Sequence, residues 1–253
     1  YVWGSRYENE LYICKLFDSL LRGFPIGGLI LWNTKEEVPY REFINDYDNN
    51  KTSKIVDKGL WSRPDKFLIY DGQQRLQTLY SCLKYSFNNR ILVYNLLFNL
   101  TQEIEPDETG FSFVDINMDI PDTTIRMNEL FTQRTDDQFE YMENIFKRCA
   151  GISDEERRII GKNITALWNI LVERGIKPIA YFPIISDNEN SVNEIFQRLN
   201  SGGMALTQSD LLFSRIKERY FDFEEKLQTT CKDIYSKTGN GFYIEPTYIL
   251  QVI

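Results

Sequence analysis

The chain contains no histidine in 253 residues. A histidine general base, a Ser-His-Asp triad, an H-N-H nuclease centre and any imidazole metal ligand are therefore beyond what these residues can build. A metal held here would be a hard cation on carboxylate and phosphate oxygens, which points to magnesium. Cysteine is also scarce. Cys14, Cys82, Cys149 and Cys231 lie far apart with no C-x-x-C pair, which argues against a zinc site or a small disulfide framework and fits a reducing, cytoplasmic setting. No apolar run approaches the roughly 20 residues that span a bilayer, and no secretory segment is visible. No membrane partner is expected. The first residue is Tyr1 rather than methionine, which leaves a targeting segment open. Internal repeats and low-complexity tracts are missing as well.

What is present is the composition of a globular protein, with 42% apolar and 26% charged residues. Its 17 phenylalanines and 15 tyrosines argue against disorder. The net charge of −8 is unevenly distributed. Residues 101–156 carry 15 acidic side chains against 4 basic ones, while the segments on either side are slightly basic. That middle block would repel a phosphate backbone, and its simplest reading is a solvated acidic face.

The stretch that organises the chain is FLIYDGQQRLQTL at 67–79. Residues 67–70 read as a short strand, Asp71-Gly72 turns the backbone, and a helix opens at Gln73. Leu76, Leu79, Tyr80, Leu83 and Phe87 recur at helical spacing and predict one core-facing stripe. Strand, glycine turn and helix N-terminus together can present backbone N–H groups to an anion. Two readings stand side by side. Asp71 is a competent N-cap with Gln74 in capping-box register, and capping alone explains both residues. Arg75 is left over, because a cation in the first turn opposes the helix dipole unless an anion binds there.

Elsewhere, helices are expected over 8–22 (closed by Gly23), 123–131, 136–149 and 153–174, the last with Ser153 and Glu156 as a capping box. A short helix is expected near 40–47. Strands are expected over 29–32, 91–100, 110–116 and 177–185. A further capping box at Ser191 and Glu194 opens a helix that Asn200-Ser-Gly-Gly203 breaks, and helices continue over 208–237. The connection from Asn200 to Leu206 is too long for a DNA-binding helix-turn-helix. These elements give an α/β (α+β) class, divided into an α/β core at 1–120, an acidic helical insertion at 121–176, and a returning strand with a helical part at 177–253.

Three stretches carry a family resemblance. DGQQR at 71–75 with Leu76, Thr78 and Leu79 resembles the signature of the ParB/sulfiredoxin-like domain at the front of GmrSD-type modification-dependent restriction enzymes. LLRGFPIG at 20–27 is similar to that family's helix-to-strand corner, and FQRLNSGGMAL at 196–206 to its F-x-x-x-N-x-x-G-x-x-L motif. The resemblance implies a small mixed sheet with flanking helices and a helical extension. It also implies a module that binds and hydrolyses a nucleoside triphosphate, with magnesium, in an anti-phage system restricting modified DNA. In that reading Asp71, Gln73 and Gln74 are catalytic, with Asp71 orienting a water or holding magnesium and a glutamine positioning the attacking water. Gly72, Arg75, Thr78, Arg22, Arg198, Asn200, Gly202 and Gly203 form the nucleotide- and phosphate-binding set. Capping remains the alternative for Asp71, a C-cap loop for Asn200 and the glycines, and a dipole-compatible helix end for Arg22. The Asp71 turn is expected to lie beside the 200–203 loop. Expected partners are the nucleotide, DNA, a separate nuclease domain or subunit, and a second copy of the chain. The competing function is a DNA- or partner-binding module without catalysis. A chain that cuts DNA by itself is the least supported option, because the family's nuclease is an H-N-H domain.

Overall fold

The computed structural model describes residues 6–44, 54–56, 67–100, 108–132, 137–173, 179–201, 226, 229–231 and 233. The chain divides into two compact units, Tyr1–Asp187 and Asn188–Ile253. The described residues form an α+β fold whose strands are grouped in two three-stranded sheets and one two-stranded ribbon.

In the first unit, α1 (Arg6–Leu21) buries Ile13, Leu16, Phe17 and Leu20. It ends in a Schellman motif. Gly23 is left-handed at φ 72°, its N–H reaches the Leu20 carbonyl at 3.1 Å, and the Phe24 N–H reaches the Ser19 carbonyl at 2.8 Å. The corner that follows leads into β1 (Leu29–Asn33). β1 is the centre of the first sheet, antiparallel to β4 (Leu68–Asp71) and parallel to β8 (Tyr181–Ile185). The expected return of residues 177–185 to the sheet is therefore realised from Tyr181 onward. Pro183 is tolerated because β8 is an edge, where a missing N–H breaks no inner ladder.

Residues 40–41 are not helical. Tyr40–Arg41 form β2, paired with β3 (Ile55–Val56), and β-propensity at a tyrosine wins over weak helical periodicity. From β4 the chain passes through Gly72 into α2 (Gln73–Lys84), which buries Leu79, Cys82 and Leu83. The second sheet is built on β5 (Arg90–Asn95), shorter than the apolar run suggested because residues 96–97 turn away. β5 lies between β6 (Phe111–Asp115) and β7 (Thr124–Arg126). The sequence predicts that the residues of β7 start a helix. Pairing with Val93 to Asn95 makes them a strand instead, and α3 (Met127–Thr132) begins only afterwards.

Two helices complete the unit. α4 (Gln138–Arg148) is capped by the Asp137 carboxylate, which accepts from the N–H groups of Phe139 and Glu140. α5 (Asp154–Leu171) opens with the Ser153–Glu156 capping box. One core joins α1, α2, β5, β6, α3 and α5, with Tyr94, Leu92, Ile164 and Leu167 almost fully buried. Asn163, itself buried, donates to the carbonyls of Leu96 and Phe98 at 2.8 Å each, tying α5 to the end of β5.

In the second unit, α6 (Glu189–Ser201) starts earlier than the Ser191 capping box would place it. The side chain of Asn188 accepts from the N–H groups of Asn190 and Ser191 at 3.0 and 3.3 Å, so Asn188 supplies the cap. The helix runs through Asn200 to Ser201 rather than breaking at Asn200. Gly202, Gly203 and most of the helices expected over 208–237 lie outside the described residues.

Candidate functional site

The candidate site is the passage from β4 into α2. Asp71 is the last residue of β4 and pairs with Ile30 of β1, so its backbone is extended and committed to the sheet. The N-cap of α2 is Gly72, at φ 83° and ψ 14°. This is a correction to the capping-box expectation. Cap geometry passes one residue along because sheet pairing holds Asp71, and a glycine offers no side chain to close the first turn. The first helical bond runs from the Leu76 N–H to the Gly72 carbonyl at 2.9 Å. A Cβ on Gly72 would come within 2.4 Å of a Leu29 methyl, so both conformation and space require glycine.

Arg75 has protein partners at both ends of its fork. Nη1 donates to the Ile26 carbonyl at 2.8 Å, and Nη2 meets Asp71 Oδ2 at 3.3 Å. The guanidinium lies against Gly27, where an added Cβ would stand 2.3 Å from Nη1. The cation that opposed the helix dipole thus has a carboxylate one turn back to offset it. The Asp71 side chain remains 39% exposed and that of Arg75 21% exposed, so the pair stands at the mouth of the turn. Gln73 turns its amide back to the Ile69 carbonyl at 2.7 Å. Gln74 is exposed on the first turn, and Thr78 is buried one turn further along.

Three further sequence candidates lie at the end of α1 and on α6. Arg22 closes the end of α1, donating through Nε to Asp18 Oδ2 at 2.7 Å and through Nη1 to the Leu100 carbonyl at 3.0 Å. Arg198 pairs with Glu194 one turn earlier on α6, at 2.5 Å and on an exposed face. The backbone of Asn200 is helical. Arg198 and Asn200 belong to the second unit.

Two residues at the site were not singled out from the sequence. Ile26 contributes only a carbonyl, which no residue pattern advertises. Gln77 pins residue 44 over α2: its Oε1 accepts from the Ile44 N–H at 3.0 Å and its Nε2 donates back at 2.5 Å. The Asp71–Arg75 contact had a signal, the i, i+4 spacing of opposite charges.

Among the described residues no three Cys, Asp or Glu side chains converge as a metal cage. The site's own donor is the half-exposed Asp71. That set suits magnesium, which is commonly bound through one or two carboxylates with substrate phosphates completing its shell. No helix among the described residues is long and apolar enough to cross a membrane.

Fold and site together define a small α+β domain built on a strand–glycine–helix turn with a carboxylate–guanidinium pair at its mouth. The chain belongs to the family described as GmrSD restriction endonuclease, N-terminal domain, whose family model matches residues 1–217. It is thereby a module of a restriction system. No curated protein matches the sequence.

Proposed function

We propose that this chain is the nucleotide-binding, triphosphate-hydrolysing module of a restriction system acting on modified DNA, working with a nuclease domain or subunit. The observation that carries the reading is the left-handed Gly72 between β4 and α2. It opens α2 without an N-cap side chain, beside a partly exposed carboxylate and arginine and an exposed glutamine. The first-turn N–H groups and the partial positive charge of the helix end favour phosphate oxygens. Arg75 is held with its charge at the same mouth and adds charge-assisted bonds to that anion.

In this mechanism Asp71 accepts a proton from, or orients, the water that attacks the terminal phosphorus. Gln74 fixes that water's direction, while Gln73 stays bonded to the strand. Asp71 is also the carboxylate through which magnesium would be held, and the ion would neutralise phosphate charge. Catalysis of this kind rests on positioning and electrostatics, so small displacements of Asp71 are costly. The family resemblance also assigns Arg198, Asn200, Gly202 and Gly203 to nucleotide binding.

One observation favours the second reading, a DNA- or partner-binding module without hydrolysis: both ends of the Arg75 fork already have protein partners. One experiment separates the two. Wild type, Asp71→Asn and Gln74→Ala are incubated with each triphosphate and magnesium, and diphosphate release and nucleotide binding are measured. The hydrolytic reading expects release by wild type, its loss in both variants, and binding retained by Gln74→Ala. Wild type that neither binds nor hydrolyses any triphosphate would overturn it.

A further inference from the structure

Helix α4 carries two apolar stripes; Met142 and Phe146 of the second are half-buried against the core, and Phe139 is exposed. Tyr141 and Ile145 face inward; Ile145 is buried and the Tyr141 ring lies 5.7 Å from Trp168. On the same helix Arg148 ties the C-terminal turn down by donating to the carbonyls of Asp122 and Thr124. Phe139, Met142 and Phe146 repeat at i, i+3 and i+7, and this second stripe opens into a groove of about 470 Å³ between α4 and α5. Phe139, at its mouth, is 77% exposed, which is unusual for a phenylalanine at helical spacing with two other large apolar residues.

The groove's rim decides what would fill it. Asp137, Glu140 and Glu143 line it. The opposing cation is Arg157, whose guanidinium is laid over the Phe146 ring at 4.5 Å. The rim is therefore net negative, in keeping with the surplus of 15 acidic over 4 basic residues across 101–156. A phosphate backbone or an anionic lipid surface would be repelled. An apolar stripe one helix wide, flanked by carboxylates, matches a helix with apolar residues on one face and lysine or arginine beside them.

We propose that the α4–α5 groove is a docking site for a basic amphipathic helix of a partner protein, with Phe139, Met142 and Phe146 as the apolar seat and Glu140 and Glu143 as the charge match. The site lies on α4 and α5, and it stands whether or not the Gly72 turn binds nucleotide.

The test uses the full chain and two synthetic peptides. One is a helix with leucine on one face and lysine on its flanks; the other has glutamate in place of lysine. Fluorescence anisotropy should show the lysine peptide binding, more weakly at high salt, and the glutamate peptide binding at least tenfold more weakly. Phe139→Ser and Glu143→Lys should each weaken the lysine peptide about tenfold or more, equivalent to about 1.4 kcal/mol. Met118→Ser, at another exposed apolar position (55% exposed), should leave it unchanged. Both groove positions are exposed, so thermal melts should show the variants folded. Three outcomes would overturn the proposal: no binding of the lysine peptide, equal binding of both peptides, or indifference to Phe139→Ser. Sedimentation showing a wild-type dimer that Phe139→Ser dissolves would also overturn it, because the occupant would then be a second copy.

Discussion

Replacing Gly27 by alanine tests the architecture of the Asp71–Arg75 corner directly. The new Cβ would lie 2.3 Å from Arg75 Nη1, so the guanidinium must leave the Ile26 carbonyl, which it now reaches at 2.8 Å. A hydrogen bond from a charged group contributes about 1.5–3 kcal/mol, and partial exposure of the Arg75 side chain places this one near about 2. The Asp71 contact, at 3.3 Å and half open to water, adds no more than about 1 kcal/mol. Gly27 also sits at φ 81°, where alanine costs about 1–2 kcal/mol, partly offset by its smaller entropy in the unfolded chain. Gly27→Ala should therefore destabilise by about 3 kcal/mol and Arg75→Ala by about 2, again from the lost fork.

The double variant distinguishes a shared cause from two separate ones. With Arg75 already removed, Gly27→Ala has nothing to displace and costs only the backbone strain. The pair should then lose about 3 kcal/mol rather than about 5, a coupling of about 2 kcal/mol. Urea unfolding of the four proteins at constant m-value measures it. Additivity within about 0.5 kcal/mol would show that Arg75 does not rest on Gly27, and the corner as described would be wrong. The same series revises the expectation from helix-dipole reasoning alone, in which removing Arg75 relieves the helix.

Asn163→Leu should cost about 2–4 kcal/mol, because the carbonyls of Leu96 and Phe98 lose their donors inside the core; a melting curve unchanged by the substitution would refute the tie. Ser153→Ala should cost about 1 kcal/mol by removing the α5 cap. Hydrogen bonds from Ser153 hold the Glu156 carboxyl below its ordinary range. That contribution should be present above the usual glutamate range and fade as pH falls through the lowered value, with the pH dependence of the Ser153→Ala difference as the readout. Burial pushes the Cys14 thiol and the Tyr141 phenol each up to about 12. The unfolded chain releases these protons first, so the contribution of these two groups to stability should be constant below about pH 9 and decline between about pH 9 and 12. Alkylation of Cys14 at neutral pH should wait for unfolding; rapid labelling of native protein would contradict its burial.

The parts of this fold that rest on neighbours in sequence were legible in the residues. Helical spacing located α1, α2, α4 and α5, the Ser153–Glu156 box marked the start of α5, and the apolar runs marked β1, β4, β5 and β6. Gly72 stood out as the turn between β4 and α2. Each of these depends on interactions within a few residues, which a linear chain displays.

What only the tertiary structure decided depends on partners far away in sequence. Thr124–Arg126 are a strand because β5 is there to pair with them, and Tyr40–Arg41 because Ile55–Val56 are. Asp71 is a strand end rather than a cap because Ile30 of β1 holds its backbone, which moves the cap to Gly72. Arg75 changed meaning most. From the chain alone it was a cation in want of an anion. In the fold it already holds a carbonyl 49 residues distant and the carboxylate one turn back. A side chain's nearest counter-charge or acceptor is set by how strands and helices close in space, and a backbone carbonyl such as that of Ile26 leaves no mark in residue type. Local preference therefore chose the elements, and long-range pairing chose what each polar group at the site is bonded to.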